Sequence, residues 1–212
     1  DQNVGLGSYT LTANTSGSTN TGIGYASLYT NSTGSANTAV GRGSLYANTT
    51  ASNNTAVGYA SLSANTTGTS NTAIGDSAGA ALTTGSYNVI AGHRAGDALN
   101  TGGNNVAIGW AALTLDTKGD KSTAVGRSAL AAQNFTSATD SYNVAMGYLA
   151  GAAVTTGVQN TLIGSLAGDS LTDADYNVAV GMQALNNDTL GSTSTAIGAF
   201  TLNNQNFTSA TN

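Results

Sequence analysis

Asn37-Thr38-Ala39-Val40-Gly41 returns as Asn54-Thr55-Ala56-Val57-Gly58 and again as Asn71-Thr72-Ala73-Ile74-Gly75. Counted by its closing glycine, the unit recurs at Gly7, Gly24, Gly41, Gly58, Gly75, Gly92, Gly109, Gly126, Gly147, Gly164, Gly181 and Gly198. Successive glycines are 17 residues apart, except that Gly126 and Gly147 are separated by 21. A fixed short period is the signature of a solenoid, and here it runs through all 212 residues. The expected fold is all-β: a parallel β-solenoid, or β-roll, of about twelve stacked coils. It forms a single repeat domain over residues 1–212, with one long coil at 127–147. At ~4.8 Å per coil the rod is roughly 55 Å long.

Aligned on the glycine, each column of the repeat has its own chemistry. The residue before the glycine is large and apolar (Leu6, Ile23, Val40, Val57, Ile74, Ile108, Val125, Met146, Ile163, Val180, Ile197), with Ala91 the exception, for which its neighbour Ile90 is expected to compensate. Two residues earlier stands Thr or Val, and between them mostly Ala. This alternation of β-branched residues predicts a strand. The large aliphatic row is expected to fill the coil, and the alanine row to face a neighbouring chain. Four before the glycine is Asn, replaced by Ser122 and Ser194. Stacked coils would set these amides one above another as a ladder.

Four residues after the glycine stands Leu in eight coils and Gly in four, Gly79, Gly96, Gly151 and Gly168. In those four coils the residue three further on becomes aliphatic (Leu82, Leu99, Val154, Leu171); elsewhere it is Asn, Asp or Gln. Every coil thus supplies one aliphatic group to one slot from either of two positions, as a core of fixed volume per layer requires. Pairs such as Thr33-Gly34 and Thr67-Gly68 then turn the chain toward the next strand. The long coil carries four extra residues around Gln133–Thr139, and that heptapeptide returns at 205–211, 72 residues later. Insertions in solenoids map to loops, so the extra residues are expected to bulge outward, anchored by Phe135 and Phe207.

Charged residues are 7% of the chain, against a usual ~25%. Every acid is Asp, and the net charge is −5 with five Lys and Arg. A nucleic acid or an anionic membrane would require a basic footprint, which is missing. Cysteine is absent, so there is no disulfide frame or thiolate metal site. The Asp residues stack in no column, which leaves no repeated calcium pattern and no groove of acids for polysaccharide cleavage. Thin solenoids need a brace. With disulfides and metal removed, a homo-oligomer is expected, and no cofactor.

The pentapeptide and its Gly turns resemble the YadA-like head repeats of trimeric autotransporter adhesins. Gly24-Tyr25-Ala26-Ser27-Leu28-Tyr29 and Asn65-Thr66-Thr67-Gly68 are also similar to repeat shafts of bacteriophage tail fibres. The resemblance implies a homotrimer, an extracellular setting on a virion tail or bacterial cell surface, and a structural part in host or surface attachment. It carries over no catalytic residue. The chain opens within one repeat and stops within another, which reads as a fragment of a longer fibrous protein. The alternative is an ice-binding solenoid using the threonine row Thr33, Thr50, Thr67, Thr84 and Thr101, in which Lys118 comes next.

The column after the glycine varies most: Ser8, Tyr25, Arg42, Tyr59, Asp76, His93, Trp110, Arg127, Tyr148, Ser165, Met182 and Ala199. Such a row belongs on the rim. A Ser/His/Asp set could be drawn around His93 with Asp76 or Asp97, and a solvated row explains it better. The protein is not expected to be an enzyme. If the chain recognises a ligand, such as a surface glycan, the expected residues are Tyr59, His93, Arg94, Trp110 and Arg127, whose rings and donors suit sugars.

Overall fold

The computed structural model describes residues 2–207. Its strands in chain order are β1 (Val4–Leu6), β2 (Thr21–Ile23), β3 (Thr38–Val40), β4 (Thr55–Val57), β5 (Thr72–Ile74), β6 (Val89–Ala91), β7 (Val106–Ile108), β8 (Gly119–Asp120), β9 (Thr123–Val125), β10 (Thr139–Asp140), β11 (Val144–Met146), β12 (Thr161–Ile163), β13 (Val178–Val180) and β14 (Thr195–Ile197). All except β8 and β10 form one 12-stranded parallel sheet in chain order, while β8 and β10 pair with each other. No helix occurs among the described residues. Ala39 lies opposite Ala56 and Val40 opposite Val57, and the register survives the long coil, where Ala145 faces Ala124. The chain is a parallel β-solenoid whose rungs are the sequence repeats.

Hydrogen bonds join adjacent coils around the whole turn. Gly58 N donates to Val40 O (2.8 Å), Ala60 N to Arg42 O (2.9 Å), Leu62 N to Ala78 O (3.0 Å) and Thr66 N to Thr83 O (2.9 Å). This explains the lack of proline, which would delete a rung. It also holds non-glycine residues in the left-handed region at recurring positions, such as Asn53 (φ 63°), Ala60 (φ 50°) and Leu62 (φ 49°).

The strands face the opposite way from the expectation. Ala39, Ala56, Ala73, Ala107, Ala124 and Ala179 are fully buried inside the coil, and the large aliphatic row points outward, with Ile74 48% and Ile108 38% exposed. The reason is volume. A 17-residue coil is narrow, and its leucine slot already occupies the interior with Leu28, Leu45, Leu62, Leu113, Leu130 and Leu185, all fully buried. Only a methyl fits opposite. The alanine row therefore cannot be the face given to a neighbouring chain.

The compensating slot is real and involves a third position. Leu62 and Gly79 share the left-handed conformation (φ 49° and 59°), so glycine is at home there. Where Gly79 removes a side chain, Leu82 enters from three residues on, and Ile90 replaces alanine in the inward row. Its Cδ1 lies 2.9 Å from where a Gly79 Cβ would stand. Leu162 does the same for Gly151 and Gly168 (2.7 Å to each). Ile90 thus compensates for the missing leucines, not for its neighbour Ala91.

Two amide ladders line the rest of the interior. Asn54 N donates to Asn37 Oδ1 (3.0 Å), Asn71 N to Asn54 Oδ1 (2.9 Å), and Asn54 Nδ2 to Gly68 O (2.9 Å) across the coil. In the second ladder Asn31 donates to Asn14 (2.8 Å), Asn48 to Asn31 (2.7 Å) and Asn65 to Asn48 (3.0 Å). It stops at Asn65 Oδ1, buried without a donor, because Leu82 comes next in that row. The Ser exceptions are repaired by glutamine. Gln133 Nε2 donates to Ser122 Oγ (2.7 Å) and to buried Asp116 (2.6 Å), and Gln205 repeats this with Ser194 (3.1 Å) and Asp188 (2.8 Å). Asn54→Ala would leave the Asn71 N–H unmet and take one of two donors from Gly68 O, which keeps Asn65 Nδ2 (3.0 Å). It should lower unfolding free energy by about 2 kcal/mol in urea titration, since an orphaned buried group costs ~1–3 kcal/mol.

The insertion bulges outward as expected with Phe135 as its anchor, while Phe207 of the second copy is exposed. Phe135 is buried, its ring 2.9 Å from where a Gly119 Cβ would stand, while Thr136, Ser137 and Ala138 are exposed. The chain then returns as β10 beside β8. In the second copy Phe207 N donates to Asp188 (3.0 Å), as Phe135 N does to Asp116 (3.3 Å). Residues 208–211 of that copy lie outside the described residues.

Candidate functional site

The row after the glycine leaves the strand at a corner and stands on the surface, one residue per coil. Its side chains form three groups. Arg42 lies between the rings of Tyr25 and Tyr59, its guanidinium carbon 5.8 and 5.7 Å from their centroids. Asp76 and His93 face each other at 3.5 Å. Arg127 lies between Trp110 (4.8 Å) and Tyr148 (5.5 Å) and donates to the Tyr148 hydroxyl (3.0 Å).

The five residues expected from the sequence are therefore divided. Trp110 and Arg127 are in contact. Tyr59 belongs with Arg42, and His93 with Asp76. Arg94, one residue further along, turns to Asp97 (2.7 Å), whose hydrogen bond and charge raise the Arg94 pKa. Lys121 pairs similarly with Asp140 (2.6 Å) and Tyr142 (3.1 Å). These bonds push Lys121 up to about 12 and hold Asp140 below the ordinary carboxylate range. Burial pushes the Asp169 carboxyl up.

The catalytic set drawn around His93 has the wrong order. Ser77 Oγ donates to Asp76 (2.8 Å), which puts the carboxylate between hydroxyl and imidazole. Acyl transfer needs the imidazole between them. Asp97 is held by Arg94 and by Thr114 Oγ1 (2.6 Å). Among the described residues no three His, Asp or Glu side chains converge on a common point where a metal would sit.

A trough that the sequence rows do not announce lies beside the first group. Tyr25, Arg42 and Tyr59 form one wall, and Tyr46 and Ser63 the other, over a floor of Ala26, Gly43 and Ala60. Its volume is about 350 Å³. It continues into a smaller hollow of about 190 Å³ between Tyr9, Tyr25, Tyr29 and Tyr46. Tyr46 stacks on Tyr29 with centroids 5.1 Å apart and planes 8° from parallel. The available signal was a second surface row, four residues after the first, with Tyr29 and Tyr46 on neighbouring rungs.

The other distinctive surface is the outer face of the sheet. Its two rows carry only Thr, Val, Ile, Leu, Met and Ala, with no charged residue in any of the twelve strands of this sheet. Among the described residues no helix is long and apolar enough to cross a membrane. No protein-family model, curated protein or solved structure matches the chain.

Proposed function

We propose that this solenoid is a structural segment, shaft or head, of a bacteriophage tail fibre or bacterial surface adhesin, and that it works as a homotrimer outside the cell. The observation that carries the reading is the uncharged outer face of the sheet. Twelve three-residue strands at ~4.8 Å make an uncharged strip on the order of 500 Å², one row of it aliphatic apart from Ala91 and the other Thr or Val, comparable to the largest exposed patch of a typical monomer, which is often a functional one. A second copy of the chain is the natural occupant. Its rungs have the same rise, and two uncharged faces meet without repulsion. Three chains rather than two follow from the resemblance to adhesin heads.

Light scattering on a size-exclusion column is expected to give three times the 20.8 kDa chain mass. Ile74→Asp would set one carboxylate per chain against its copies and should return the mass to a single chain with unchanged circular dichroism. A wild-type protein running as a single chain would overturn the assembly.

One observation favours the ice-binding alternative: Thr33, Thr50, Thr67, Thr84 and Thr101 all stand exposed in one row. That reading needs thermal hysteresis at millimolar protein, and its absence would remove it.

A further inference from the structure

We propose that the Tyr25–Arg42–Tyr46–Tyr59 trough binds an anionic oligosaccharide through a sugar carboxylate. The trough is large enough for more than one ring and lies in the range of ligand pockets. Its walls are aromatic, and its floor at Gly43 is open, since a Cβ there would meet nothing within 4 Å. The coil rise of ~4.8 Å is close to the length of one residue in an extended sugar chain, so successive rungs would meet successive rings. Apolar sugar faces stack on such side chains, and their hydroxyls reach phenol oxygens at the edge.

Arg42 supplies the preference for charge. The other basic side chains have hydrogen-bond partners: Arg94 has Asp97, Lys121 has Asp140, Arg127 has Tyr148, and Lys118 has Thr136 O. Arg42 has neither an ion pair nor a hydrogen-bonded acceptor among the described residues. Tyr25 and Tyr59 lie on either side of it, with ring centroids 5.8 and 5.7 Å from the guanidinium carbon, and no protein acceptor among the described residues takes its N–H groups, which leaves them for a ligand. No acid lines the trough, although the chain carries ten. A guanidinium is a planar fork of N–H donors, which matches a carboxylate in bidentate fashion.

This site uses none of the outward strand residues, so it stands apart from the proposed assembly. The test is saturation-transfer NMR with tetrasaccharides of galacturonic acid, glucuronic acid and sialic acid, each beside its neutral methyl ester. At least one free acid should bind ten-fold or more tighter than its ester. Arg42→Gln should erase that difference, and Tyr46→Ala should reduce binding of acid and ester alike. Gly43→Leu should block both. That substitution suits the backbone, because Leu149 and Leu166 hold the same position at φ 55° and 59°, against 66° for Gly43. Binding of no acid, or equal binding of acid and ester that survives Arg42→Gln, would overturn the site. Light scattering on the same samples reports the assembly separately: binding can fail at the trimer mass, and a single chain can still bind.

Discussion

Gly58→Ala is expected to cost about 4 kcal/mol, read as a fall in the urea midpoint followed by circular dichroism. Two effects add. Gly58 has φ +137°, a backbone conformation nearly closed to residues with a Cβ, and such strain costs on the order of 1–3 kcal/mol. The new methyl would also stand 2.3 Å from the Gly75 carbonyl oxygen and 2.6 Å from its carbon. To relieve that, the coils must separate at the corner where Gly75 N donates to Val57 O (2.8 Å). Because each coil is stabilised chiefly by its neighbours, the opening spreads to the rungs on both sides. Gly68→Ala is the control. Its Cβ would also approach a carbonyl, but its φ lies outside the left-handed region, and Ala51 and Ala174 hold the same position in other coils. The approach to the Gly85 carbonyl is as close as that at Gly58, so Gly68→Ala should cost less by the φ strain alone, on the order of 1–3 kcal/mol. A Gly58→Ala cost as small as that of Gly68→Ala would show that the corner glycine is not required by the backbone.

Leu62→Gly should cost about 4 kcal/mol, the scale of a large-to-small change in a packed core. Most of that loss should return in the triple variant Leu62→Gly, Asn65→Leu, Ala73→Ile. This set rebuilds around the fourth coil what Gly79, Leu82 and Ile90 form around the next. The amides do not oppose the exchange. Asn65 Oδ1 already lacks a donor. Removing Asn65 moves that vacancy one rung back to Asn48 Oδ1, and Asn54 still donates to Gly68 O (2.9 Å). A coupling of at least about 2 kcal/mol among the three sites is expected from a double-mutant-cycle treatment of urea data. Additive losses would mean that the two coil types do not share one slot.

Much of this architecture was legible in the residues. The glycine period set the rungs, the Leu/Gly exchange located the core slot, and the Asn column announced a ladder. The strand face was read inside out because alternation says only that two faces differ. A row of Ile and Val on an outer surface produces the same pattern as a row in a core. The deciding clue was in the inward row itself, where Ile90 and Leu162 replace small residues beside the coils that lose leucine. Side chains that exchange volume must share a space.

The candidate surface was less legible. The rim column named the correct row, but pairing along it depends on which neighbours touch. Arg42 was passed over in favour of His93, whose chemistry is conspicuous in a list and whose carboxylate partner occupies it in space. Likewise the repair of Ser122 by Gln133 requires knowing that two positions eleven residues apart meet inside one coil.

The coil geometry also fixes how such a rod would answer tension. Folded, each 17-residue coil adds ~4.8 Å to the length, because its contour is wound across the axis. Pulled straight, the same residues reach roughly 55–60 Å. The bonds between coils lie along the pull, so they yield one rung at a time at an end. Release of a single coil would therefore lengthen the segment by about as much as the whole folded rod, turning a stiff spacer into a slack tether while the remaining coils stay wound.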